Sequence, residues 1–301
     1  YCREHGITVV NAPGCNAGSV MQYVASGLFT LLQKDHLSLT GKQIGIVGVG
    51  NVGSRIEKLA RNLGMEPLLN DPPRERSEGS AGFISLQRLL QESDIVTLHV
   101  PLTLQGNDPT FHLIGREELR LMQPGTLLIN TARGEVIDPV ALEASIKEHR
   151  SPQAVLDVWE NEPRIDHALL QHARIATPHI AGYSADGKAN ATRMILSALA
   201  GFFGFPFSSF SLQMPPPPTT PVIRLSGKGK DPLVIAAEAV LHTYDVLSDD
   251  ARLRDLPGNF EHQRAHYPLR REFSAYRVLP DRDALPALPL LNALGFTVIT
   301  G

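Results

Sequence analysis

Three polar side chains follow three predicted strands, each at the point where its strand ends. Arg133 comes after the apolar run GTLLIN, Glu162 after QAVLDVW, and His179 after ARIATP. Because the carboxyl ends of parallel strands meet at one edge of a sheet, we expect the three side chains to meet in one crevice.

These three side-chain types suit hydride transfer to or from a 2-hydroxy acid. A planar guanidinium such as Arg133 can hold the substrate carboxylate and the oxygen on carbon 2 through paired hydrogen bonds. An imidazole such as His179 exchanges a proton near neutral pH, and a neighbouring carboxylate such as Glu162 fixes its tautomer and favours its charged form. The alternative for each residue is a solvated charge or an ordinary turn residue.

A glycine-rich turn, GVGNVG at residues 48–53, predicts a dinucleotide site. Gly48 permits a tight turn, Gly50 lets the backbone approach a pyrophosphate, and Gly53 lets the following helix pack closely on the strand. Asp71 follows at the end of the next predicted strand, where a carboxylate accepts hydrogen bonds from the ribose hydroxyls and disfavours a 2′-phosphate. The turn therefore indicates NAD, with S-adenosylmethionine or a plain glycine turn as alternatives.

The elements that position these residues alternate between strands and helices. A short strand is predicted at 8–13 and a long buried helix at 16–35. Further strands are predicted at 43–48, 65–71, 94–101, 125–130, 153–159 and 173–178, and further helices at 51–64, 85–93, 115–122 and 138–149. Apolar strands separated by helices are typical of an α/β fold with a doubly wound parallel sheet covered on both faces.

The last third of the chain departs from this regular alternation of strands and helices. A helix is predicted at 185–204, and the proline-rich stretch 213–221 is interpreted as a semi-rigid linker. Beyond the linker, the pattern predicts helices at 231–247 and 283–295 and strands at 272–279 and 296–300. This part is therefore expected to form a smaller α/β unit.

Composition narrows the possible functions. With 301 residues, 43% of them hydrophobic, the chain can bury large cores and is expected to form two or three domains. A net charge of −3 without basic runs argues against nucleic acid, and no apolar stretch is long enough to span a bilayer. Two cysteines cannot form a disulfide framework, so a cytoplasmic location is expected. The chain begins at Tyr1 in what reads as the end of a helix, and we expect it to be N-terminally truncated and inactive alone.

The motifs together resemble the D-isomer-specific 2-hydroxyacid dehydrogenase family. The resemblance rests on GVGNVG, Asp71, LHVPLT, INTARGEVID, DVWENEP and TPHIAG, which lie between residue 9 and about residue 190. It implies a Rossmann NAD-binding domain, part of a flavodoxin-like substrate domain, and a C-terminal α/β domain that forms a homodimer. The implied divisions are 1–18 and 180–212 for the substrate domain, 19–179 for the NAD domain, 213–221 for the linker and 222–301 for the dimerisation domain.

The resemblance also implies roles for individual residues. Arg133, Glu162 and His179 match the family's catalytic residues, no metal is implied, and Tyr183 matches a substrate contact. Cofactor contacts are implied at Gly48, Gly50, Asn51, Val52, Gly53, Asp71, Val100, Asp157 and Gly182. Val100 occupies a position where close relatives often carry Thr, so it offers no hydroxyl.

Four segments resemble a narrower group within the family, and that resemblance implies a phosphorylated substrate. APGCNAGSV, NDPPR, HIAGYSADGK and HYPLRREF resemble those of family members that oxidise 4-phospho-D-erythronate in pyridoxal 5′-phosphate biosynthesis. Lys188, Arg270 and Arg271 are then candidates for holding the phosphate, with a solvated surface charge as the alternative for each. The alternatives are a phosphoglycerate, glyoxylate or hydroxypyruvate type of dehydrogenase, or an NAD-sensing corepressor that binds partner proteins.

Overall fold

The computed structural model describes residues 1–35, 38–148, 152–207 and 213–299. Within these residues, the larger sheet has six parallel strands in the order β2-β1-β3-β4-β5-β6. They are Gln43–Val47 (β1), Glu66–Asn70 (β2), Ile95–Leu98 (β3), Leu127–Asn130 (β4), Gln153–Leu156 (β5) and Ile175–Ala176 (β6). The order reverses between β1 and β3, which creates a crevice at their carboxyl ends. The predicted doubly wound Rossmann sheet is confirmed.

The connecting helices begin where the sequence provides caps. The helices are Gly53–Asn62 (α2), Pro72–Glu78 (α3), Leu86–Glu92 (α4), Arg116–Leu121 (α5), Pro139–Lys147 (α6) and His167–His172 (α7). Ser85, Asp138 and Asp166 accept backbone N–H groups at the first turns of α4, α6 and α7. Helices α3 and α7 were not predicted: α3, PPRERSE, has no apolar residue to mark a buried face beyond its prolines, and α7, HALLQH, is too short to repeat its apolar residues over successive turns.

Two longer helices flank the sheet. Ala17–Asp35 (α1) is buried along most of its length, with Tyr23, Leu28 and Phe29 fully enclosed. Ala185–Phe203 (α8) begins at the cap Ser184, whose hydroxyl accepts the Gly187 N–H. The predicted strand at 8–13 is wrong: these residues pair with no described strand, and without a partner an extended segment forms no ladder of hydrogen bonds.

The C-terminal part contains a second parallel sheet, in the described order β7-β8-β9. Its strands are Val222–Leu225 (β7), Arg277–Pro280 (β8) and Thr297–Val298 (β9), and its helices are Pro232–Thr243 (α9), Val246–Asp255 (α10), Phe260–Ala265 (α11) and Leu288–Leu294 (α12). The helix predicted at 231–247 is two helices, because Tyr244 is extended and Asp245 caps α10. The strand predicted at 272–279 starts at Arg277, after a 3-10 turn.

The two sheets are joined through one hydrophobic core, in which α1 packs on α9.

Some predicted segments end outside the described residues: His149 of the helix 138–149, Thr300 of the strand 296–300, and 208–212 before the linker. The proposed domain boundaries stay a prediction. Among the described helices, none combines the length and apolar character needed to cross a membrane.

Candidate active site

The three predicted catalytic side chains meet at the carboxyl edge of the larger sheet. Arg133, Glu162 and His179 line one cavity of about 380 Å³ beyond β4, β5 and β6. The Nδ1 atom of His179 lies 2.7 Å from Oε2 of Glu162, and Oε1 of Glu162 accepts the Trp159 N–H at 2.8 Å. Because the carboxylate holds Nδ1, the ring nitrogen left to exchange a proton is Nε2.

The turn that carries Arg133 is held by a residue that the sequence analysis missed. Asn130, the last residue of β4, donates from Nδ2 to the Arg133 carbonyl at 2.9 Å and accepts the Ala132 N–H at 3.0 Å. Arg133 itself donates from Nη1 to the Ala132 carbonyl at 2.6 Å. An Asn directly before a polar turn is a known signal for side-chain capping of the backbone and could have indicated this role.

The backbone at His179 adopts an unusual conformation, with φ of 55° in the left-handed region. Asp157 holds this conformation through three hydrogen bonds. Its carbonyl accepts the His179 N–H at 2.7 Å, and its carboxylate accepts the N–H groups of Ile180 and Ala181, both at 2.8 Å. Burial raises the pKa of the Asp157 carboxyl, and these hydrogen bonds act in the opposite direction. Asp157, predicted only as a cofactor contact, therefore also shapes the loop that carries His179.

A buried chain of hydroxyls leads away from Asp157. Thr177 donates to the Asp157 carboxylate at 2.7 Å, and the Tyr23 hydroxyl lies 2.7 Å from the Thr177 hydroxyl. Neither Tyr23 nor Thr177 was predicted as a site residue, since contacts between α1 and the end of β6 depend on tertiary packing.

The glycine-rich turn has the geometry that each glycine was expected to provide. Gly48 has φ of 87°, and a Cβ on it would lie 2.8 Å from a Val100 methyl carbon. A Cβ on Gly53 would lie 2.0 Å from the Gly48 carbonyl oxygen, so α2 packs directly on the turn. In contrast, a Cβ on Gly50 would meet no described atom within 4 Å. The backbone at Gly50 is therefore open to a ligand.

Asp71 is fixed at the end of β2. Its carboxylate accepts the Val49 N–H at 2.8 Å and the Arg74 N–H at 3.0 Å. Arg74 donates to the Val49 carbonyl at 2.6 Å and is paired with Glu78 at 2.7 Å, so its charge is already matched. The residues therefore fit NAD, whose ribose hydroxyls donate to a carboxylate, better than a cofactor with a 2′-phosphate.

The other predicted contacts lie around this turn and around the His179 loop. Gly14 packs against the Asn51 side chain, and Gly182 against Asn16. Val52 is the N-terminal flanking residue of α2. Tyr183 is half-buried and does not line the 380 Å³ cavity; its ring lies 4.9 Å from Nζ of Lys188. The assignment of these residues to cofactor or substrate stays a prediction.

Comparison with known families agrees with this site. Residues 16–181 match the model of the D-isomer specific 2-hydroxyacid dehydrogenase, NAD binding domain, and residues 214–295 match a domain of unknown function, DUF3410. The first match covers more than half of the chain and includes Arg133, Glu162 and His179. The chain therefore belongs to the D-isomer-specific 2-hydroxyacid dehydrogenase family, a class of NAD-dependent oxidoreductases, and NAD as cofactor is confirmed.

Individual relatives extend over almost the whole chain. The chain is 47% identical over 282 residues to erythronate-4-phosphate dehydrogenase of Bacteroides fragilis, covering 93% of this chain and 77% of the relative. It is 43% identical over 304 residues to the enzyme of that name from Chromohalobacter salexigens, covering 99% and 79%. A solved structure of D-lactate dehydrogenase from Aquifex aeolicus, complexed with NAD and lactic acid, is 27% identical, with a TM-score of 0.56 over 68% of this chain and 72% of that one.

Proposed function

We propose that this protein catalyses the NAD-dependent oxidation of 4-phospho-D-erythronate to 2-oxo-3-hydroxy-4-phosphobutanoate, a step of pyridoxal 5′-phosphate biosynthesis. The site geometry that carries the proposal is the His179–Glu162 pair beside Arg133 in one cavity at the carboxyl edge of the NAD-binding sheet. The choice of substrate is supported by the relatives named erythronate-4-phosphate dehydrogenase, whose similarity continues through the C-terminal third.

The chain's own residues account for the proton and charge chemistry. Arg133 holds the substrate carboxylate and the carbon-2 oxygen. As the carbon–hydrogen bond at carbon 2 breaks, Nε2 of His179 accepts the hydroxyl proton, and Glu162 stabilises the resulting imidazolium through Nδ1. NAD, when bound, supplies the hydride acceptor. In the reductive direction the same imidazolium returns the proton.

Location and assembly follow from the same proposal. Cys2 and Cys15 are both free thiols, which supports a reducing, cytoplasmic compartment. The C-terminal α/β unit, residues 222–301, is proposed to assemble the protein as a homodimer, as the family resemblance implies.

The phosphate of the substrate is assigned to Lys188. Arg271 is paired with Asp186 at 3.0 and 2.9 Å, and its remaining donor bonds carbonyls of the proline-rich linker. Arg270 is buried against backbone carbonyls. Lys188 instead is exposed beside Tyr183, the predicted substrate contact, and can offer its charge to a phosphate.

The substrate is tested by following NADH absorbance with the full-length protein. Erythronate 4-phosphate, 3-phosphoglycerate and glycerate are compared in parallel, and we expect kcat/KM to be highest for erythronate 4-phosphate. A higher value for 3-phosphoglycerate or glycerate would assign the protein to another dehydrogenase type. Tight NADH binding without turnover of any acid would favour the corepressor alternative.

Lys188→Met tests the phosphate contact. A charge-assisted hydrogen bond to a phosphate contributes about 1.5–3 kcal/mol, so KM for erythronate 4-phosphate should rise about tenfold or more while NADH binding is unchanged. Lys228→Met, at an exposed position in the C-terminal unit, is the control and should leave KM unchanged. An unchanged KM in the Lys188 variant would remove this residue from the phosphate site.

A further inference from the structure

A segment of the C-terminal unit, residues 264–272, lies directly against the loop that carries His179. The Arg270 carbonyl accepts the Ala185 N–H at 2.9 Å, and Arg271 forms a two-point ion pair with Asp186. The Glu272 N–H donates to the same Asp186 carboxylate at 2.8 Å. This segment therefore runs along the chain that follows the proton-exchanging residue.

Arg270 contacts the loop itself. Its Nη2 atom donates to the carbonyl of Ile180 at 3.1 Å and to that of Ala181 at 2.6 Å. The N–H groups of the same two residues are taken by the carboxylate of Asp157. The peptide groups next to His179 are thus held by an anion on the N–H side and a cation on the carbonyl side.

The surroundings of Arg270 make its placement costly for stability alone. The side chain is 5% exposed, and its guanidinium lies 4.4 Å from the Tyr244 ring and 5.7 Å from the Tyr267 ring. Among the described residues, no carboxylate pairs with it, and its Nε and Nη1 atoms have no hydrogen-bond partner. Burying a cation with two unpaired donor atoms costs hydration that the carbonyl bonds and the tyrosine rings offset only in part, so the placement of Arg270 calls for a role beyond packing.

We propose that Arg270 is a positioning residue for hydride transfer, which fixes the 178–184 loop and hence the imidazole of His179. The left-handed backbone of His179 is costly for a residue with a side chain and persists only when its neighbours hold it. Displacing a reacting group by about 1 Å can reduce the rate about 10²-fold. The C-terminal unit thereby contributes to turnover as well as to assembly.

The variant Arg270→Met in the full-length protein tests this role, because Met fills the space between the tyrosines without donating hydrogen bonds. We expect kcat to fall about 10²-fold, the dissociation constant of NADH to stay within twofold, and amide hydrogen exchange of residues 178–184 to become faster. Arg270→Lys keeps the charge and can donate in one direction, so its kcat should lie between those of the unaltered protein and Arg270→Met. Arg282→Met, at an exposed position of the same unit, is the control and should match the unaltered protein.

Two results would overturn the proposal. One is a kcat within twofold of the unaltered protein with unchanged exchange in the loop. The other is a loss of NADH binding together with faster exchange across the whole protein, which would give Arg270 a general role in folding.

The inference rests on the dehydrogenase activity of the proposed function, and not on its substrate. If the unaltered protein oxidises glycerate or 3-phosphoglycerate instead of erythronate 4-phosphate, the proposed substrate is wrong. The role of Arg270 is still testable, because kcat of Arg270→Met is then measured with the acid that the protein does oxidise. The hydrogen-exchange measurement needs no substrate, so it decides the effect of Arg270 on the loop in every case.

Discussion

Two histidine–glutamate pairs lie near the same cavity, and they differ in ways that matter for proton transfer. His179 and Glu162 are 2.7 Å apart, and His112 and Glu160 are 2.8 Å apart. Both histidines have a positive φ, and their side chains are 29% and 32% exposed. Distance, burial and backbone region therefore do not separate the two pairs.

The ring nitrogen that meets the carboxylate does separate them. Glu162 is bound to Nδ1 of His179, which leaves Nε2 at the tip of the ring for a substrate. Glu160 is bound to Nε2 of His112, so only the Nδ1 atom next to that residue's own backbone remains. A histidine–glutamate contact alone thus does not define an acid/base site.

The support behind each ring differs as well. The His179 loop is held through Asp157 and Arg270, and Glu162 is fixed by the Trp159 N–H. His112 is stacked on the exposed Phe111 ring, with centroids 4.0 Å apart. His179 is therefore held by a hydrogen-bonded loop and His112 by a stack at the surface, so the same substitution at the two histidines should affect kcat unequally.

The largest expected effect comes from replacing each histidine by asparagine, which removes the imidazole ring. A positioned general acid/base contributes about 10²–10⁴-fold to a rate, so His179→Asn should lower kcat about 10³-fold with NADH binding unchanged. His112→Asn, the matched control, should leave kcat within about threefold, since its Nε2 is occupied and takes no part in the transfer. Steady-state kinetics of the full-length protein provide the measurement.

An equal loss in both variants would contradict the comparison and would assign proton exchange to both rings. A loss confined to His112→Asn would move the acid/base role to that pair and remove His179 from the mechanism.

Sequence reasoning found His179 and its two partners because the rule it used is geometric. Residues after consecutive parallel strands must share an edge, and the strands of the Rossmann sheet are recognisable as apolar runs. The glycine turn was predictable for a local reason, because a tight strand-to-helix turn requires glycine where a Cβ would clash, as it would at Gly48 and Gly53. Local pattern and sheet topology together therefore sufficed for these residues.

What supports the site could not be predicted in this way. Arg270 was expected near the phosphate but lies under the His179 loop, about 90 residues further along the chain, where only tertiary packing brings it. Asp157 was recognised from the family motif, while its bonds to the loop N–H groups depend on the exact path of the chain after β6. The strand predicted at 8–13 failed because a strand needs a partner that apolar alternation does not reveal.

The smaller expected effect comes from replacing each glutamate by glutamine, which keeps shape and removes charge. Glu162 accepts two hydrogen bonds, from the Trp159 N–H and from Nδ1 of His179, whereas an amide has one oxygen and must present its NH₂ to one of the two donors. Glu162→Gln should therefore lower kcat about 10²-fold, by favouring the wrong tautomer and no longer stabilising the imidazolium.

Glu160→Gln is the matched change in the second pair and should lower kcat about threefold or less, because it alters a ring outside the proton path. If both glutamine variants lose activity equally, the two carboxylates act through the charge that they place in the shared cavity and not through the tautomer of His179. Measuring kcat for the double variant Glu160→Gln/Glu162→Gln separates these two explanations. If Glu162 acts through the tautomer of His179, the double variant should lose no more activity than Glu162→Gln alone, whereas a shared charge effect should make the two losses depend on each other.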